Sequence, residues 1–150
     1  MQKGFQLESI ESNKIYRDEK YSGKFCRDVL NATFELYKLK GFHYPWIGYL
    51  ANDSNIIVGA AGFNGRPQNN IVEISYYTFE EYQGKGFASN ACKELIKISK
   101  QQNPHITICA KTAPEENAST RILRKNGFVY KDIVQDHDIG DAWLWELLEY

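Results

Sequence analysis

A chain of 150 residues, 43% apolar and 14% aromatic, is long enough to bury a sizeable core and reads as one domain over residues 1–150. Its 18 lysines and arginines nearly balance 19 aspartates and glutamates, so neither nucleic acid nor an anionic membrane surface is an expected partner. No apolar run approaches the roughly 20 residues of a membrane helix. The opening MQKGFQLESIES lacks an apolar signal core, and three cysteines at no metal-binding spacing (Cys26, Cys92, Cys109) point to a reduced, cytoplasmic setting.

Residues 5–10 read as a short strand and 11–24 as polar loop. From Cys26 the spacing turns helical: Cys26, Val29, Leu30, Thr33, Phe34 and Tyr37 share one face, closed by Gly41 and Pro45. Three β-rich runs follow, WIGYLA (46–51), IIVGAAGF (56–63) and IVEISYYT (71–78), separated by NDSN and NGRPQNN. They predict an antiparallel meander. Residues 87–100 return to helical spacing, with Phe87, Ala91 and Leu95 in one row and Ala88, Cys92 and Ile96 beside it. HITICAK (105–111) is a strand, 117–125 a short helix stopped by Gly127, and 128–134 and 142–148 are closing strands around DHDIGD. The fold class is therefore α+β with a mixed central sheet. The strand–helix–strand unit over 71–111 calls for parallel neighbouring strands.

The stretch YQGKGFAS (82–89) joins a strand to a helix. Two readings are open: a turn, or a cradle for phosphates. Free N–H groups in a first helical turn and the helix dipole suit an anion there, and glycines let a ligand approach the backbone. The GxxxxGK[ST] spacing is absent, and GxGxxG would need glycine where Ser89 stands, so neither nucleotide fingerprint applies.

Gln83, Gly86 and Ala88 match the Q/R-x-x-G-x-G/A signature, so the loop resembles that of the GNAT superfamily of N-acetyltransferases. The element order resembles the GNAT fold over nearly the whole chain. NASTRILRKNGF (117–128) and GDAWLWEL (140–147) are similar to the branch that acetylates ribosomal-protein N-termini and various small molecules. The resemblance implies acetyl-coenzyme A as co-substrate, without a metal. Its pyrophosphate would lie on Gln83, Gly84, Lys85, Gly86, Phe87, Ala88 and Ser89, and its pantetheine arm along Tyr76, Tyr77 and Thr78. HITICAK would form the other wall of a V-shaped slot for the thioester. Arg121 follows the family pattern and either reaches the 3′-phosphate or faces water. Asn117 stands one step later than the family asparagine, at whose position this chain has Glu116; it either contacts the cofactor or caps the helix.

Acetyl transfer needs a base near neutrality and a polarised carbonyl. Glu73, in the otherwise apolar VEIS, is the candidate base if partial burial raises its pKa. Alternation puts Glu73, Ser75 and Tyr77 on one strand face, which also allows a solvated Glu73. Many GNAT enzymes place a tyrosine four residues before the Gly-Phe pair, where this chain has Leu123. Tyr77 is the named substitute acid, with Tyr76, Ser119 and water as others. Cys109 lacks a base partner by spacing and reads as a small buried residue. His137 between Asp136 and Asp138 reads as polar turn rather than metal site, or as acceptor wall together with Tyr44, Trp46 and Trp143. Direct transfer to a primary amine of a small molecule or a protein N-terminus is the implied function, and the fold points to a homodimer through the last strands. The rivals are a non-catalytic acyl-coenzyme A sensor and an acyltransferase for longer acyl chains, against which bulky Tyr77 and Phe79 weigh.

Overall fold

The computed structural model describes residues 4–148. Its elements are β1 (Phe5–Ser9), α1 (Lys24–Lys40), β2 (Gly48–Asp53), β3 (Ile56–Phe63), β4 (Ile71–Thr78), α2 (Phe87–Gln102), β5 (Thr107–Thr112), α3 (Ala118–Lys125), β6 (Phe128–Asp136) and β7 (Gly140–Leu147), with 3-10 turns at Glu19–Tyr21 and Glu80–Tyr82. The seven strands form one sheet in the order β1-β2-β3-β4-β5-β7-β6. The predicted meander is present, and β4 and β5 are the parallel pair.

Boundaries shift where local turns compete with strand pairing. Strand β2 starts at Gly48 rather than Trp46, because Trp46 N–H donates to His43 C=O and Ile47 N–H to Pro45 C=O. Strand β5 starts at Thr107, because the Asn103 carboxamide oxygen accepts from His105 N–H and Ile106 N–H bonds Asn103 C=O. The last hairpin zips further than the sequence indicated, pairing Asp136 with Gly140 and leaving only 137–139 as turn.

Apolar side chains fill both faces of the sheet. On one face, Phe87, Ala91, Cys92 and Leu95 of α2 and Leu123 of α3 meet Val58, Val72, Ile74, Ile108 and the fully buried Trp145. On the other, Cys26 and Leu30 of α1 meet Ile10, Leu50, Ile57 and Phe79. The α1 stripe read from spacing is the stripe that packs. Tyr37, at its end, ties the helix to the sheet by donating to Ile10 C=O at 2.7 Å and accepting from Gly48 N–H at 2.9 Å.

Candidate active site

Strand β4 pairs with β5 only through Ile71↔Thr107, Val72↔Ile108 and Glu73↔Cys109, then runs five residues further without it. Its other edge stays paired to β3 as far as Gly59↔Thr78. The sheet therefore opens between β4 and β5 beyond Glu73. Glu73 C=O accepts from Asn64 N–H on the β3 side, while Asn70 C=O accepts from Thr107 N–H on the β5 side. Main-chain direction alternates along a strand, so the N–H and C=O groups of Ile74, Tyr76 and Thr78 face the opening. Those of Tyr77 face β3. The Thr78 carbonyl is engaged by the Gln83 carboxamide at 3.1 Å, which ties the end of β4 to the loop.

That loop turns on two glycines in the left-handed region, Gly84 (φ +80°) and Gly86 (φ +86°). A side chain at either would meet nothing within 4 Å, so the requirement is conformational and the space beside the turn is open. Gly86 caps α2 without any side-chain hydrogen bond, and the first bond of the helix runs from Asn90 N–H to Gly86 C=O at 3.1 Å. The N–H groups of 87–89 precede it and have no helical acceptor.

A cavity of about 440 Å³ joins the open edge to the loop and to α3. Of the residues expected to hold a cofactor, Tyr76, Tyr77, Thr78, Gln83, Gly84, Gly86, Phe87, Ala88, Ser89 and Arg121 line it. Lys85 and Asn117 are not among the lining residues. The Asn117 side chain caps α3: it accepts from Thr120 N–H at 3.2 Å, and Asn117 N–H donates to the Thr120 hydroxyl at 3.0 Å. Sequence reasoning missed Tyr82, Ala118, Ile122 and Lys125 in the lining. Lys125 sits one helical turn after Arg121, so the i,i+4 relation would have found it. Tyr76 is half-buried, its hydroxyl 3.4 Å from Ser119 C=O, and burial holds its proton more tightly than an ordinary phenol.

A second cavity, about 200 Å³, lies on the α1 face and shares Tyr76 and Tyr77 with the first. Strand register puts Ala60, Ser75 and Tyr77 on that face, opposite Thr33 and Leu36 of α1. Glu73 follows Ser75 on the same face. Its carboxylate is 3.6 Å from Lys111 Nζ and accepts from the Asn64 carboxamide at 3.4 Å, and Lys111 is also 3.7 Å from Asp136. Glu73 lines neither cavity. Cys109 beside it is buried, and desolvation followed by the Glu73 charge pushes its thiol up to about 11, so it stays protonated.

The four residues expected at the acceptor line neither cavity. Tyr44 is 67% exposed and His137 lies in the hairpin turn. Trp46 packs edge-on against Phe63, and Trp143 against Tyr130. Trp143 belongs to the sheet face of α2 and α3, since Trp145, two residues on, is buried there. Among the described residues no three His, Cys, Asp or Glu side chains converge as metal ligands, and no helix is long and apolar enough to cross a membrane.

A family model described as an acetyltransferase (GNAT) domain matches residues 10–129. The uncharacterized N-acetyltransferase p20 of Bacillus licheniformis is 28% identical over 106 residues, which cover 67% of this chain and 60% of that protein. The uncharacterized N-acetyltransferase YjdG of Bacillus subtilis (strain 168) is 32% identical over 91 residues, covering 60% of this chain and 53% of that one. The chain thus spans a little over half the length of these curated relatives. The solved structure of RimL, a ribosomal L7/L12 alpha-N-protein acetyltransferase, in complex with coenzyme A superposes with a TM-score of 0.67 at 17% identity, covering 97% of this chain and 94% of that one. The superposition shows that the mixed seven-stranded sheet and its three helices have the GNAT fold. With its family model spanning most of the sequence and its splayed strands in that fold, the chain belongs to the GNAT acetyltransferase family.

Proposed function

We propose that residues 1–150 form one N-acetyltransferase domain that moves an acetyl group from acetyl-coenzyme A directly to a primary amine. The observation that carries this reading is the splay of β4 from β5, which leaves an open main-chain edge beside an uncapped helix N-terminus. The residues fit the group. An extended amide-bearing arm can pair with the edge of Ile74 and Tyr76, and a diphosphate suits the N–H groups of 87–89 together with Arg121 and Lys125. When bound, acetyl-coenzyme A supplies a thioester carbonyl as electrophile.

Amine nitrogen forms the new C–N bond as the C–S bond breaks, so one proton leaves nitrogen and the thiolate must gain one. We assign the first transfer to Glu73 through a water. Glu73 stands one strand repeat, roughly 6.6 Å, from Ser75 on the wall of the α1-side cavity, and Lys111 and Asn64 hold its carboxylate in place. We assign the second to Tyr77, which borders both cavities.

Calorimetry with acetyl-coenzyme A and thiol release over an amine panel test this. Wild type should bind. Gly86→Val should bind at least about tenfold more weakly, because a β-branched residue strains the left-handed region by about 1–2 kcal/mol and fills the anion's place. Glu73→Gln should keep the affinity and lose turnover by about 100-fold or more, the usual worth of a general base. Absence of binding by wild type would overturn the function. Binding with no thiol release on any amine would favour the sensor reading.

A further inference from the structure

We propose that Asn64 is a self-modification site: it converts without any enzyme to aspartate or isoaspartate, and the product places a second carboxylate beside Glu73. The site goes beyond the acetyltransferase reading above, and only its effect on turnover rests on that reading.

The chain has eleven asparagines, and glycine follows only Asn64 and Asn126. Ring closure at an asparagine needs the next residue's amide nitrogen to reach the side-chain carbonyl carbon. A Cβ on that next residue crowds the approach, and glycine has none. Proline, which follows Asn103, has no N–H to give. The attacking nitrogen must also be free of a hydrogen bond that holds it elsewhere.

The two Asn-Gly pairs differ in that last respect. Asn126 ends α3, and Gly127 N–H donates to Arg124 C=O at 3.1 Å. The Asn126 carboxamide donates to Ile122 C=O at 2.9 Å and to the Ser89 hydroxyl at 3.3 Å. Both reacting groups are tied down there, and the end of α3 must open before they can meet. Asn64 stands just past the end of β3, on an exposed position. Its own main-chain N–H is anchored on Glu73 C=O at 3.0 Å, but Gly65 N–H makes no hydrogen bond among the described residues. The Asn64 carboxamide donates to the Glu73 carboxylate at 3.4 Å, a long contact that leaves the side chain free to turn.

In the reaction, the Gly65 nitrogen bonds to Asn64 Cγ as the bond from Cγ to the carboxamide nitrogen breaks. The Gly65 proton leaves on that nitrogen, and ammonia is released. Water, the only co-reactant, then opens the cyclic imide at either carbonyl. One opening gives aspartate; the other routes the main chain through Cγ and gives isoaspartate. Either product carries a carboxylate where the carboxamide had donated to Glu73. Glu73 then loses a donor and faces a like charge, while Lys111, 3.6 Å away, is already shared with Asp136 at 3.7 Å. Isoaspartate also adds one carbon to the main chain beside the bond from Asn64 N–H to Glu73 C=O.

The test holds the full chain at mildly alkaline pH in heavy-oxygen water and maps its peptides by mass spectrometry. The readout is the amide-to-acid change together with the heavy oxygen that ring opening introduces. Asn64 should convert at least about tenfold faster than Asn126, because only Asn126 waits on a local opening. Asn64→Gln, which would have to close a larger ring, should show no conversion at that position over the same period. Thiol release, with an amine that the fresh protein acetylates, should fall in wild type in step with conversion at Asn64 and hold in Asn64→Gln relative to its own starting rate. Asn64→Asp, which carries one product from the start, should turn over about two- to fivefold more slowly than fresh wild type, the scale of one partly exposed charge contact. No conversion at Asn64, or equal rates at Asn64 and Asn126, overturns the inference. Conversion at Asn64 with turnover unchanged in both aged wild type and Asn64→Asp overturns the consequence for Glu73 and leaves the site standing. Fresh protein that acetylates no amine overturns the acetyltransferase reading together with that consequence, while the peptide map still decides the site.

Discussion

On the α2 side of β4, the cavity is built from main chain and cations: the glycine turn, the first turn of α2, the open strand edge, Arg121 and Lys125. On the α1 side, it is built from the neutral side chains of Thr33, Leu36, Ala60, Ser75 and Tyr77. The first surface suits an invariant, charged ligand, because backbone N–H groups read phosphate whatever else varies. The second is shaped largely by side chains, with main chain at Gly48 and Gly62, so substitution can reshape it. A shared β4 keeps the two in fixed relation.

The strongest way to break the comparison is to disturb that common strand. A Cβ on Gly59 would lie 2.2 Å from Tyr77 C=O and 3.0 Å from Thr78 Cα, both main chain that cannot rotate away. Gly59→Ala should cost about 3 kcal/mol by overpacking and damage both cavities together. Urea unfolding, with coenzyme A titration of the surviving folded fraction, checks this. Intact donor binding at full stability would show that β4 tolerates the shift.

A smaller perturbation touches the α2-side cavity alone. Asn117 and Thr120 cap α3, the helix that brings Arg121 and Lys125 to the cavity. Asn117→Ala should lower stability by about 1 kcal/mol, the usual worth of an N-cap, while coenzyme A affinity stays within about twofold. A much larger loss of affinity would sharpen the picture differently, making Asn117 a cofactor contact as well as a cap.

The smallest effect is the pH dependence of the same helix. Arg124, bonded to Glu116 through Nη2 and Oε2 at 2.8 Å, lowers the Glu116 carboxyl from its ordinary 4.5 to about 2. A depressed folded-state pKa gives stability that is present above the unfolded value and is lost as pH falls through the folded one. Any difference in melting temperature between wild type and Glu116→Gln should therefore be constant well above pH 4.5, shrink as pH falls from 4.5 toward about 2, and be gone below that. Because the pair is fully exposed, the difference should be small and should shrink with added salt. A difference that grows on acidification would rule out this assignment.

The α2-side cavity was legible because its parts are consecutive. A strand, a G-x-G turn and a helix within residues 71–102 create the open edge and the free N–H groups by local geometry, and nine of the ten residues named within that span line the cavity. The α1-side cavity was not. Tyr44, Trp46, His137 and Trp143 were placed by the expectation that the first helical region and the last hairpin build the acceptor pocket, and they line neither cavity, whereas the α1-side cavity is walled from mid-strand and mid-helix positions on β3, β4 and α1. Ser75 was within reach, since it alternates with Glu73 and Tyr77.

By itself, the sequence determined the order and type of the elements, the faces of α1 and α2 that pack, and the conformation of the loop at Gly84 and Gly86. These follow from periodicity and from backbone sterics, which act over a few residues. Tertiary structure alone decided where β4 leaves β5, that Lys111 meets both Glu73 and Asp136, and that Ala60, Ser75 and Tyr77 face Thr33 and Leu36 across the α1-side cavity. Those facts depend on the register between strands far apart in the chain, which local spacing does not encode.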